Sequence, residues 1–469
     1  MVDFLAAEKA IDLIPDTVPR VDIRKEGDFY LEKAILITFD EQEYGIELLR
    51  AEITIFEDIF NNTMAGIIHF QDSSDLPQIL PLIGEEKLKL RFTRPSEKGR
   101  GLLDEYYEME FRVYKMDGRK PDDDKINIQN YTLHFTSSER IVDMKAKVWE
   151  SYWDMPYSDI VEKVYSKYIS KGKPIEVEKT KYEYKYMARG LSPFQIIGIC
   201  GSKSISDEGN GSAYVFYEDM DKFNFVSIGK LMQQAPVEKY ISQLANVLQE
   251  KKSFDRTIED DVRKVEQYNF KSSFDIMRNL ESGMYAQRLV SVDMLRQFHE
   301  NVDWDYKKEF GSMPHLHDAD VCTDALDALG SPPSVMKLAL TTKDHDKVAH
   351  IVARDPTIKP NQVEEYLLKR ASQMQQTNGN RMIISFSGDP RRKVGQVIEF
   401  LVPNHYGAVN EEHPPDPPHD RYMGGKFLIT ALKHRITASS YFCSAELMKD
   451  TLAQDIEGVD IIKHQDWTW

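Results

Sequence analysis

His315 and His317 stand with Asp318, Asp320 and Cys322 in one compact segment, and His345 and His350 follow downstream. Imidazole, thiolate and carboxylate are metal ligands, so this segment is the metal candidate. The spacing does not carry that chemistry. HExxH is absent, and Asp318-x-Asp320 does not continue as a calcium loop, because Cys322 and Thr323 stand where a ligand and the turn glycine belong. The segment reads as a solvated loop with ordinary histidines, and no metal is expected.

Phosphate cradles fail on similar grounds. Gly209-Asn210-Gly211 starts a GxG, but Tyr214 takes the third glycine's place and a strand follows where a helix is needed. Gly424-Gly425-Lys426 lacks the Ser or Thr that meets magnesium, since Phe427 stands there. Both read as turns into strands. Ser202 follows Gly201, yet Cys200 and Ser204 flank it, so GxSxG is absent. Cys200 and Cys443 fall on apolar faces, where a thiol is inert. No pair among the 77 acidic residues can be nominated for glycosidase chemistry. No catalytic, cofactor-binding or metal-binding residue is expected, and no cofactor.

The elements that would have to position a site are those of a long, acidic chain. At 469 residues and a net charge of −17, it suggests about three domains and a sizeable core. The acidity argues against gripping nucleic acid, which needs clustered Lys and Arg, but not against a wall that DNA slides past. Three dispersed cysteines make neither a disulfide framework nor a zinc motif, and imply a reducing compartment. Residues 1–29 carry Asp3, Glu8, Asp12 and Asp16 and no signal-peptide core, and no run approaches the ~20 apolar residues that span a bilayer. A soluble product with no membrane insertion is expected.

From 33 to 145 the pattern has period two. Leu88, Leu90 and Phe92 alternate with Lys87, Lys89, Arg91 and Thr93; Tyr107, Met109, Phe111 and Val113 repeat this, then Tyr131, Leu133 and Phe135. With 34–39, 52–57 and 65–71, six strands point to an antiparallel barrel or sandwich. Asp122-Asp123-Asp124 is expected to cap a long hairpin. From about 156 the period becomes helical. Ser158 is the expected N-cap of 158–169, and Ser192-Pro193 opens a second helix with Phe194, Ile197 and Cys200 inward. Residues 213–217 and 223–228 form a hairpin. Strand periodicity returns over 254–294, a helix is expected at 361–374 (Val363, Tyr366, Leu367, Arg370), and strands resume from 380 to 448. Residues 411–420 hold four prolines and read as a stiff extended loop. Trp467 and Trp469 are costly to leave in water and suggest an anchor into a partner or neighbouring subunit, with a frayed end as the alternative.

Three ordered segments then carry a resemblance: 51–92 (AEITIFEDIFNNTMAGIIHFQDSSDLPQILPLIGEEKLKLRF), 209–231 with 282–296, and 388–403 with 425–450. Together they resemble the baseplate hub proteins of contractile-tail bacteriophages (myoviruses) and the related N-terminal part of type VI secretion spikes. The resemblance covers about residues 30–452. It implies a mainly β chain with α+β inserts, carrying two tube-type antiparallel β-barrels, so that a homotrimer forms a pseudo-hexameric ring. The implied layout is an N-terminal arm (1–29), a first barrel (30–147), an α+β insert (148–236), a second barrel in two parts (237–294 and 379–450) around a mixed, partly helical insert (295–378), and a C-terminal extension (451–469). The implied role is non-enzymatic: a virion component, assembled in the host cytoplasm, that adapts the six-fold tail tube to the three-fold central spike. Its implied partners are the spike protein, the tail tube or tube-initiator protein, the tape-measure protein and baseplate wedge proteins, with DNA passing through without specific binding. The chain departs from the simplest family pattern in the insert at 295–378 and the loop at 411–420. A cell-wall glycan hydrolase and a receptor- or carbohydrate-binding tail module remain the alternatives.

Overall fold

A computed structural model of the chain describes residues 27–453 except 47–49, 81, 97–101, 122–127, 243–262, 274, 295–296, 320–332, 341–362, 403–419 and 421. The first β unit holds β1 (Tyr30–Ile37), β2 (Glu43–Gly45), β3 (Arg50–Asp58), β4 (Ala65–Asp72), β5 (Lys87–Thr93), β6 (Tyr107–Pro121) and β7 (Gln129–Ser137). They pair in the order β3-β4-β7-β6-β5-β1-β2, antiparallel throughout. The alternation in the sequence is the cause: Leu88, Leu90, Phe92, Phe111, Leu133 and Phe135 are buried, while alternate residues reach water.

An α+β insert follows, with β8 (Ser151–Pro156), β9 (Ile175–Val177), β10 (Glu183–Met187), β11 (Tyr214–Glu218) and β12 (Phe223–Ser227). The helix at Pro193–Lys203 starts as expected: Ser192 accepts from the Gln195 amide, and the Gln195 side chain accepts from the Ser192 amide. The other helix start differs. It spans Tyr157–Val164 with Pro156 as its N-cap, because Pro156 is still the end of β8. Ser158 lies inside the helix, buried, its N–H donating to Thr180 Oγ1 at 3.0 Å. The Tyr165–Ile169 continuation is a single π turn. Glu218 fastens the insert to the first unit. Its buried carboxylate accepts from the Met64 amide at 2.9 Å and from Lys173 Nζ at 2.7 Å.

The second unit contains β13 (Lys239–Ser242) and β14 (Lys264–Ser273), and its chain is then interrupted. Strand β15 (Ala286–Asp293) falls within the expected first part of this barrel, 237–294. It pairs instead with β16 (Phe298–Asp305) and β17 (Val335–Leu340) in a separate three-stranded sheet. The sequence between β14 and β15 turns through a helix, Ile276–Ser282, closed by left-handed Gly283, and that turn carries β15 out of the barrel register. The helix Val363–Gln376 returns the chain. Its Arg370 donates to three carbonyls of the insert (Gly201, Ser212 and Tyr214) at 3.0–3.1 Å. Leu368 is the buried leucine there, while Leu367 is only half-buried. Strands β18 (Asn380–Ser387), β19 (Val397–Leu401), β20 (Gly425–Ile436) and β21 (Tyr441–Lys449) complete the unit.

The order β19-β13-β14-β18-β21-β20, with β19 also bonded to β20, closes a six-stranded barrel. The first unit shows no such closing pair among the described residues. The chain is therefore mainly β with α+β inserts. One apolar core runs through both units, from Leu36, Ile55 and Phe92 to Phe386, Phe400 and Leu447. Residues 122–124 and 411–419, and Trp467 and Trp469, lie outside the described residues.

Candidate functional site

Strand β20 is where the two units meet, and it forks. Its first half, Gly425–Leu428, pairs with β19 and closes the barrel. Its second half, Ala431–Ile436, pairs antiparallel with β3 of the first unit, with Leu432 opposite Glu57 and His434 opposite Ile55. The register against β21 slips between Ile429 and Ala431. A bulge at that point bends the strand and raises its twist, which lets one strand serve two neighbours. Thr430 sits at the slip, its carbonyl accepting from the Ile59 amide at 3.0 Å and its hydroxyl donating to the Glu446 carbonyl at 3.1 Å. Main-chain pairing thus joins the units into one sheet of thirteen strands.

Beneath that pairing lies a buried polar cluster. His434 and Glu57 are 0% and 1% exposed, and their Nε2 and Oε1 atoms are 3.3 Å apart. The other ring nitrogen of His434 meets the Tyr441 hydroxyl at 2.7 Å and lies 3.3 Å from Cys443 Sγ. The Tyr107 hydroxyl donates to Glu57 at 3.3 Å. Burial opposes charge on His434, but Cys443 and then Glu57 outweigh it and lift the imidazole to about 10. A second buried ion pair crosses the same seam, from Arg94 after β5 to Asp389 after β18, at 3.1 Å. Burial raises the Asp389 carboxyl, and the arginines Arg391, Arg94 and Arg392 overcome this to hold it well below the usual carboxylate range. At the rim, exposed Arg435 makes a two-pronged contact with Glu52, at 2.7 and 3.1 Å, across the β20–β3 pair. The arrangement can bind two units rigidly; it presents no nucleophile and base to a cleft.

The residues singled out for chemistry are held in structural roles. His315 Nδ1 contacts Asp450 at 2.6 Å and its Nε2 meets the Phe310 carbonyl at 3.0 Å. His317 Nε2 accepts from the Lys426 amide at 2.9 Å. Asp320, Cys322, His345 and His350 lie outside the described residues, and among the described ones no three His, Cys, Asp or Glu side chains group to hold a metal. Gly209 and Gly211 have positive φ in a turn before β11, and Gly425, also at positive φ, packs against His317. Ser202 Oγ donates to the Ile199 carbonyl within its own helix. Burial pushes the Cys200 thiol up to about 12. No described helix is long and apolar enough to cross a membrane.

Burial, and then Lys449, lower His317 to about 4. An imidazole depressed below its unfolded value near ~6.5 gives stability that is full above that value and is lost as pH falls toward about 4. The wild-type melting temperature should therefore drop more steeply between about pH 6.5 and 4 than that of His317→Gln, whose amide does not titrate. Parallel curves would remove His317 from the acid response.

Glu57, His434, Arg94 and Asp389 were not found by reading the sequence, although a signal for two of them exists. Ile53, Ile55 and Glu57 share one phase of β3, as Leu432, His434 and Ile436 share one phase of β20. A polar residue on the apolar phase of each of two strands is the mark of a buried pair.

No family model matches the chain. A curated relative, the probable baseplate hub protein gp334 of Vibrio phage KVP40, is 21% identical over 412 residues, covering 85% of this chain and 90% of that protein. Among solved structures, a tail protein from Neisseria meningitidis MC58 aligns over 91% of this chain and 98% of its own, with a TM-score of 0.49 and 7% identity. The 43 kDa tail protein of prophage MuSo2 from Shewanella oneidensis aligns over 90% and 99%, also at 0.49, with 8% identity. The resemblance to phage hub proteins drawn from the sequence is matched by the curated relative.

Proposed function

We propose that the chain is a structural hub of a contractile phage tail baseplate, and that three copies form a ring of six β units around a channel. The observation that carries this is the β3–β20 pairing: two units of one chain already meet edge to edge through main-chain hydrogen bonds. A ring repeats such a contact between chains until it closes, and closed cyclic symmetry leaves no open edge. Likeness to the hub protein of the Vibrio phage over nearly the whole of both chains supports the same reading. A particle with three-fold chain symmetry and six-fold pseudo-symmetry can bridge a six-fold tail tube and a three-fold central spike. Its partners would be the spike, the tube or tube-initiator protein, the tape-measure protein and the surrounding wedge proteins, and its place the virion tail. A net charge of −17 suits a wall that repels phosphate, so that DNA and tape-measure protein pass without being held. The role requires no catalysis.

The test is the mass of the purified chain in solution, alone and with its spike protein. A species three times 54.3 kDa supports the hub. A monomer under both conditions contradicts it.

A further inference from the structure

Strand β8 has one neighbour. It pairs with β10 alone, so its other edge is open among the described residues. Val148 and Glu150 spend their main-chain groups on the β10 side: the Val148 carbonyl accepts from the Gly190 amide at 2.9 Å, and the Glu150 carbonyl from the Ala188 amide at 2.8 Å. Alternation therefore turns the N–H and C=O of Trp149 and Ser151 to the open side. The side chains alternate as well. Trp149, Ser151 and Trp153 are exposed on the outer face of the ribbon, while Val148 and Tyr152 are buried beneath it. The two indoles are 77% and 64% exposed, yet both are seated. Trp149 rests on Gly190, where a Cβ would fall 2.5 Å from its Cζ2, and Lys185 Nζ stands over the ring of Trp153 at 5.5 Å. Met187, opposite Ser151, is exposed on the same face.

Beside the open edge lies a groove of about 570 Å³, between β8 and the Tyr157–Val164 helix with its π turn. Glu150, Tyr152 and Met155 form one wall, and Lys163, Ser166 and Lys167 the other. Lys167 is engaged by Glu150. Lys163 reaches Met155 Sδ at 3.3 Å and pairs with no carboxylate among the described residues. The charged lining is thus net positive in a chain whose net charge is −17. An open edge beside exposed aromatic residues is completed by a strand from another chain, held by main-chain hydrogen bonds and read through its alternate side chains. We propose that β8 is a docking edge for an extended, acidic segment of a partner protein. The pleat sets the pattern of that segment. Residues of one phase cross the row of Trp149 and Trp153 and are apolar, and those of the other phase turn toward Lys163 and Lys167 and are acidic. The indoles are four positions apart, roughly 13 Å at the rise of a strand, so about five residues or more of the partner are needed. The partner is identified by this chemistry alone, apart from the hub reading.

The experiment titrates the full chain into a fluorescently labelled, terminally blocked nonapeptide of alternating Val and Glu and follows polarisation, with a Val/Lys counterpart as the second probe. We expect one saturable site per chain for the Val/Glu peptide and binding of the Val/Lys peptide weaker by about tenfold or more. Trp149→Ala and Trp153→Ala should each weaken the Val/Glu peptide by about tenfold, as loss of a tryptophan anchor does, and Lys163→Glu severalfold. Hydrogen exchange on the wild type is the second readout if a variant does not fold: saturating Val/Glu peptide should slow the amides of Trp149 and Ser151, which an added strand would bond. The inference is overturned if the Val/Glu peptide finds no saturable site, if the Val/Lys peptide binds as tightly, or if bound peptide leaves exchange at Trp149 and Ser151 unchanged. A lower mass of the Trp153→Ala assembly, with no peptide bound by the wild type, would give the edge to a second copy of this chain and likewise overturn it.

Discussion

Glu57→Gln should lower the free energy of unfolding by about 3–5 kcal/mol, the range for removing one member of a buried ion pair. The amide keeps the shape of the carboxylate, so the loss reports charge and not a cavity. What remains is His434, fully buried, held between the Tyr441 hydroxyl and Cys443 and with no counter-charge on its other side. Replacing both members by apolar residues, Glu57→Met with His434→Leu, should recover most of the loss, because neither charge is then left unpaired. Urea midpoints at constant slope measure this. A loss below about 1 kcal/mol in the single variant would mean that the pair is not a tie between the units. The pair also has a pH signature. With His434 raised to about 10 from an unfolded value near ~6.5, its contribution is full below that unfolded value and is lost as pH rises toward about 10. Glu57→Gln should make the alkaline slope of stability over that window shallower by the share that Glu57 contributes, while the share from Cys443 remains.

The second large effect is expected at Gly66, the second residue of β4. A Cβ placed there would lie 2.2 Å from Cζ of Phe135 and 2.4 Å from the Thr54 carbonyl oxygen. The ring of Phe135 can shift against Phe111, which it meets at 4.8 Å, but the carbonyl belongs to β3 and cannot move alone. Thr54 is opposite Arg435 in the seam, so an added methyl group pushes on the strand that joins the units. Gly66→Ala should cost about 3 kcal/mol, the upper end for overpacking. Gly66→Ala with Phe135→Leu should relieve only part of the strain, because the Thr54 contact persists. Complete rescue by the leucine would place the conflict in the ring and not in the seam.

How much of this was legible depends on how local the cause is. Strand alternation, such as Leu88, Leu90 and Phe92, reads directly because the pleat repeats every two residues, and the Ser192 box reads because its partners are three residues apart. Ser158 misled because a serine before a helical pattern looks the same whether the chain enters from a loop or, as here, from a strand that ends at Pro156. Strand β15 misled because alternation says that a strand exists and not which sheet receives it. The seam was least legible. Its partners are hundreds of residues apart, as Arg435 and Glu52 show, and the fork of β20 rests on one slipped register that leaves no residue signature beyond Thr430. The histidines that looked most chemical, His315 and His317, serve as hydrogen-bonding fasteners, whereas His434, in a strand read only as a strand, anchors the junction.

The whole account turns on the number of β units that surround a common opening when copies of the chain associate. Electron microscopy of the purified assembly viewed end-on counts them directly. The account predicts six units around a central hole, in three identical pairs, each pair joined through β3 and β20. A particle without a hole, or one in which the paired units of each chain lie apart from the channel wall, would contradict it.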